Sequence, residues 1–154
     1  MKFLILNGPN MNLYTYEEPG VPGCMDFEGL LEYIASCCEQ MGIQVDCFQS
    51  NHEGDLIDEI QNAAGRVDGI VINAGGYAQT SVALLDALRL AGVPAVEVVP
   101  EDLREKEPFR KNDFVALGCQ GHFIGEGPVG YVHACAYLAQ LIRLDERSGP
   151  RMTM

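Results

Sequence analysis

Basic residues are scarce in this chain: 10 Lys and Arg stand against 22 Asp and Glu, for a formal net charge of −12 at pH 7. Binding nucleic acid or an anionic membrane surface needs a basic patch that displaces counterions, so neither is expected as a partner. The acidic surplus serves solubility. No apolar run approaches the ~20 residues that span a bilayer, since even the stretch around residues 134–144 is broken by polar side chains. The N-terminus opens directly on a strand-like MKFLIL with no cleavable signal, which points to a cytoplasmic protein. CxxC pairs and His at zinc spacing are lacking too. The six cysteines (Cys24, Cys37, Cys38, Cys47, Cys119, Cys135) therefore encode neither a metal site nor a redox dithiol, and most are expected to be small buried apolar residues.

A chain of 154 residues makes about one domain and buries roughly two-thirds of its unfolded surface, enough for stability without disulfide or metal. Short β-rich runs alternate with helical patterns throughout, with no linker or repeat between them. Residues 3–6, 45–48, 69–72 and 95–99 read as buried strands, with a fifth near 122–124. Between them, Phe27, Leu30, Leu31, Ile34 and Cys38, then Leu56, Ile57, Ile60 and Ala64, then Val82, Leu85 and Leu88 recur at helical spacing. A last helix carries Val132, Cys135, Ala136, Ala139 and Ile142 on one face, and the domain is expected to span 1–144 with a tail at 145–154.

Strand and helix in alternation with short loops force parallel pairing through right-handed crossovers. The expected product is an α/β fold, a flavodoxin-like doubly wound five-stranded parallel sheet in three αβα layers. Ligands of such sheets sit beyond the carboxyl ends of the strands, which singles out the loops at 7–26, 73–81 and 100–112. The first holds three prolines and three glycines and is too long for a plain βα connection, as suits a lid. The second, NAGGYAQTS, could offer backbone N–H groups to an anion, although a helix cap at Thr80 or Ser81 explains its hydroxyls equally well. The third, PEDLREKEPFRKND, is dense in both charges.

Together these segments resemble the type II 3-dehydroquinate dehydratases. LILNGPNMNL at 4–13, FQSNHEGDLID at 48–58, DGIVINAGGYAQTSVALLDAL at 68–88, PAVEV at 94–98 and EPFR at 107–110 carry the resemblance, and GY at 130–131 opens the last helix. The resemblance covers about residues 2–144. It implies a small-molecule ligand, no cofactor, no metal, a homo-oligomer built from trimers into a dodecamer, and loss of water from a cyclic keto acid through an enolate.

That chemistry needs a base beside a ketone, groups that hold the enolate, an acid for the leaving hydroxyl and an anchor for the substrate carboxylate. By resemblance, Asn10 orients a water at the enolate oxygen, Asn73 in its Gly76-containing loop binds substrate, Glu97 is the site carboxylate and Arg110 contacts ring hydroxyls. Other positions depart from the pattern. Glu17 stands where the lid Arg is expected, and Pro22 where the catalytic Tyr is expected. Val99 takes the place of the acid His, Gln79 that of a second pocket His, and Lys106 that of a further Arg. Pro100 and Glu101 occupy the carboxylate anchor, where proline has no N–H to give and Glu repels an anion. Tyr14, Tyr16 and Cys24 share the lid without a cation to activate them. His52, His122 and His133 read as structural or surface residues.

Three functions are consistent with this. The first is a diverged lyase or isomerase using Asn10, Asn73, Glu97 and Arg110 on a small polar keto or hydroxy substrate other than 3-dehydroquinate. The second is a silent binding or structural oligomer, and the third is 3-dehydroquinate dehydration by a rebuilt site.

Overall fold

A run of apolar residues with no polar alternation can be a strand only if both its faces are covered, and KFLIL at the N-terminus is such a run. In the computed structural model, which describes residues 1–17 and 24–149, it forms β1 (Lys2–Asn7), an interior strand of a sheet, buried from Phe3 to Asn7. The chain continues through a two-residue hairpin, β2 (Tyr16–Glu17) with β3 (Cys24–Met25), to α1 (Phe27–Gln40), β4 (Gln44–Gln49) and α2 (Glu53–Ala63). Then follow β5 (Gly69–Asn73), α3 (Val82–Ala91), β6 (Ala95–Val99), β7 (Gly121–Ile124) and α4 (Val129–Arg147).

The five-stranded sheet has the order β4-β1-β5-β6-β7 with every pair parallel, the doubly wound flavodoxin-like arrangement expected from the alternation. Alternate residues along each strand feed two cores. Phe3, Ile5, Val71, Val96 and Val98 pack under α1 and α4, while Leu4, Leu6, Ile70, Ile72 and Ala95 pack under α2 and α3. The helix ends are chemically marked. Asp26 accepts the Gly29 N–H at 2.8 Å to start α1, and Ser81, rather than Thr80, accepts the Leu84 N–H at 3.0 Å to start α3. Gly92 closes α3 in the left-handed conformation at φ 66°.

Three expectations need adjustment. The last helix extends to Arg147, three residues beyond the boundary placed at 144. The loop at 7–26 carries regular structure among its described residues, a 3-10 turn at Met11–Leu13 and the β2–β3 pair; Pro22 lies outside the described residues. Only Cys38 and Cys135 are buried among the six cysteines. Cys24 and Cys47 are exposed because they fall on the hairpin and on the solvent side of the edge strand β4.

Candidate active site

The sheet order reverses between β1 and β5, so the loops leaving these two strands diverge and open a crevice at their carboxyl ends. The base of the crevice is pinned by backbone and buried side chains. The Gly8 N–H donates to the Asn73 carbonyl at 2.8 Å, and a Cβ on Gly8 would sit 2.4 Å from the Ala74 carbonyl oxygen. Tyr131 of α4, fully buried, donates its hydroxyl to Asn7 Oδ1 at 2.6 Å and accepts from Asn73 Nδ2 at 2.8 Å. Asn73 Nδ2 also lies 3.1 Å from Met11 Sδ, and its Oδ1 takes the Gly75 N–H at 3.3 Å. The Asn73 amide is thereby tied into the base of the crevice, with one Oδ1 lone pair left over.

Above this base lies a cavity of about 380 Å³, walled by all three loops singled out in the sequence. It gathers Tyr16, Glu17, Asn73, Gln79, Glu97, Glu101 and Arg110 from the expected set, together with Val99 and Pro100. Three expected residues are not on its wall. Asn10 is exposed and left-handed at φ 68°, its N–H bound to Asn51 Oδ1 at 3.0 Å. Gly76 is exposed, and it is Gly75 that lines the cavity. Lys106 is exposed on the outer side of the loop after β6. His52 precedes α2 away from the cavity, and His133 pairs with Glu126 at 3.0 Å on the surface of α4.

The cations on the wall are already engaged. Arg104 reaches Asp102 through two bonds of 2.8 Å, which hold the Asp102 carboxyl down to about 2, and it does not fold back onto Glu101. Arg110 bonds Glu107 Oε1 at 3.3 Å and Gln79 Oε1 at 3.4 Å and stacks over Phe109. Tyr16 is buried with its hydroxyl near Tyr131. Desolvation, then the neighbouring Tyr14, push it up to about 12, so it can donate a proton bond at neutral pH but cannot serve as a base.

Glu97 is the most perturbed group of the site. It is 1% exposed, and both carboxyl oxygens lack a hydrogen-bond donor. Burial first, then the adjacent Asp113 carboxyl, raise it to about 9, with Arg104 opposing. His122, its register partner on β7, brings Nδ1 to 3.5 Å from Oε1 without forming a hydrogen bond. Asp113 was not anticipated. It is the last residue of the charged stretch PEDLREKEPFRKND, where nothing in the local pattern marks it, and only the folding back of that loop brings it to Glu97. Among the described residues, no group of three or more His, Cys, Asp or Glu side chains is placed to hold a metal ion, and no helix is long and apolar enough to cross a membrane.

A doubly wound sheet with a walled cavity at its switch point and a buried, protonated acid on the cavity wall defines a small-molecule α/β enzyme scaffold. Comparison with known proteins narrows this. The family model for class II dehydroquinase matches residues 1–139. The 3-dehydroquinate dehydratase of Campylobacter jejuni subsp. doylei is 40% identical over 141 residues, 92% of this chain and 89% of that one. The enzyme of the same name from a Synechococcus strain is 43% identical over 143 residues, 93% of this chain and 98% of its own. The crystal structure of the type II dehydroquinase from Butyrivibrio crossotus superposes with a TM-score of 0.83 at 39% identity, covering 90% of this chain and 97% of that one. The chain belongs to the class II dehydroquinase family.

Proposed function

We propose that the chain is a hydro-lyase of the dehydroquinase kind, acting in the cytoplasm on a small hydroxylated ring ketone, with Glu97 giving a proton to the leaving hydroxyl and the Glu17 carboxylate taking the proton beside the ketone. The observation that carries this reading is Glu97. Two residues apart on one strand, Glu97 and Val99 face the same side of the sheet. A carboxyl that keeps its proton at neutral pH can thus serve the space that the resemblance gives to a strand-end histidine, and donate to a leaving hydroxyl. Tyr16 adds a neutral hydroxyl donor from the facing loop.

The substrate's charge follows from the wall after β6. Pro100 has no N–H, Glu101 is an anion, and Arg104 is occupied by Asp102, so a ring carboxylate finds repulsion where the resemblance gives it an anchor. Two carboxylates in contact at the protein surface repel appreciably, and solvent screening at exposed Glu101 reduces this to about tenfold in affinity. Calorimetric titration is expected to show neutral analogues binding more tightly than shikimate-like acids, with Glu101→Gln narrowing the gap. Tighter binding of the acids, lost in Arg110→Ala and kept in Glu101→Gln, would show that the carboxylate anchor lies at Arg110 instead.

A second reading, 3-dehydroquinate itself as substrate, is favoured by the 40% identity to relatives bearing that activity's name over most of both chains. Direct assay decides between them. A chain that neither binds nor converts any hydroxylated ring ketone would be a silent oligomer. The assembly proposed for either reading is a homo-oligomer of trimers, up to a dodecamer. Leu13 and Phe109, large apolar side chains at the edge of the site loops, are left open to solvent in the single chain. Light scattering at micromolar concentration checks this, and a monomeric mass would refute it.

A further inference from the structure

Glu97 and Asp113 both line the cavity, and the two Glu97 oxygens lack any donor from the protein although the side chain is almost wholly buried. Two carboxylates side by side are both acceptors, so they can bond to each other only through a proton. The other groups facing Glu97 do not fill its need. His122 stands within ion-pair reach at 3.5 Å but makes no hydrogen bond, Arg104 is held by Asp102, and Cys119 is a weak donor already pushed toward the neutral thiol by burial. Arg110, the other cation on the wall, is turned to Glu107 and Gln79.

We infer that Glu97 and Asp113 form a seat for the ammonium group of a small hydroxylated amine that enters this cavity. The inference rests on the reading above only in taking the same cavity as the ligand site. An ammonium carries three donors, enough to supply both Glu97 oxygens and the nearest Asp113 oxygen in place of the shared proton. About 380 Å³ accommodates one substituted six-membered ring. Glu17 and Glu101 on the wall add a field that draws a cation inward. Hydroxyls on the ring would find Gln79 and Tyr16 within the same space.

The proton balance gives this seat a signature. The free pair holds a proton at neutral pH, because burial and Asp113 keep Glu97 up to about 9. The incoming cation favours the ionised pair, so close to one proton passes to solvent for each ammonium bound. By linkage, affinity rises with pH, by at most about tenfold per unit, and levels off near 9, where the free pair has already lost its proton.

Calorimetry on the full chain with trans-2-aminocyclohexanol and, as the neutral probe, cyclohexane-1,2-diol tests the seat in buffers of differing ionisation heat. The amine is expected to bind about tenfold or more tighter than the diol near pH 8, with a buffer-dependent heat corresponding to nearly one proton released. Asp113→Asn should weaken the preference and reduce the proton release, since burial alone still holds part of the proton on Glu97. This variant keeps an oxygen for the Ala116 N–H that Asp113 Oδ1 accepts at 3.0 Å, so the local fold is retained. Glu97→Gln gives an independent second loss. Equal binding of amine and diol, a heat indifferent to buffer, or an Asp113→Asn variant that behaves as the parent would overturn the seat. Amine binding without turnover of any hydroxy ketone removes the lyase reading and keeps the seat, and turnover without amine preference does the reverse.

Discussion

3-Dehydroquinate supplied to the purified protein is expected to be dehydrated about 10⁴-fold more slowly than by an enzyme with both a lid base and a strand-end acid, since each such group contributes 10²–10⁴-fold. The reasoning concerns protonation as much as residue identity. Elimination beside a ketone needs one group that is basic at neutral pH and one that is acidic. On this wall Tyr16 is held protonated up to about 12 and Glu97 up to about 9, so the donors are present. The acceptors are the carboxylates Glu17 and Glu101, which stand where the resemblance places groups that attract the substrate's own charge. Val99→His alone is not expected to restore the rate, because it supplies a second acid and no base. Following the conjugated enone product by its absorbance settles the point. A rate ordinary for the named relatives would establish 3-dehydroquinate as the substrate and show that this wall supplies its own base.

The stability of the folded chain should fall as pH rises from 6 to 9, against the usual trend for an acidic protein. A carboxyl whose folded pKa is raised keeps its proton where the unfolded chain has released it. Its contribution to stability is therefore complete below about 4.5 and is lost as pH climbs to about 9. The slope is at most about 1.4 kcal/mol per pH unit, so three units reach several kcal/mol, a large share of the ~5–15 kcal/mol that holds a domain together. Asp102, held down to about 2, acts in the opposite sense but in a separate window at the acid end. Urea melts at pH 6 and pH 9 measure the effect. Glu97→Gln should flatten the pH dependence and leave the variant more stable than the parent at pH 9, since an amide can donate to Asp113 without carrying charge. A parent whose stability is level or rising over this range, or a variant with the parent's slope, would show that Glu97 ionises without penalty.

Much of the scaffold was legible from the sequence because buried parallel strands announce themselves as unbroken apolar runs. β6 falls at 95–99 as expected, and the strands pair in parallel as the alternation requires. The β2–β3 hairpin was not legible, since two residues per strand carry no period. The site was legible by loop but less so by residue. Asn73 looks like a binding residue in sequence and does line the cavity, but the partner that orients it, Tyr131, comes from the last helix. Asn10 lies inside the first site loop in sequence, but in the fold it is exposed, left-handed and off the cavity wall. Asp113 acquires meaning only when its loop returns across β6, a contact that no local pattern encodes.

The contacts among Gly8, Asn7, Asn73 and Tyr131 have an engineering consequence. They fasten the crevice to β1, β5 and α4 without borrowing anything from the loop that follows β6. That loop, residues 100–113, is tied to the scaffold elsewhere, through Arg110 to Gln79 and the Gly127 N–H to the Pro100 carbonyl, and not through these four residues. Libraries that vary 100–113 while leaving Gly8 and Tyr131 untouched would sample new ligand chemistries with the sheet intact, whereas the same number of changes around Gly8 would meet the Ala74 carbonyl first.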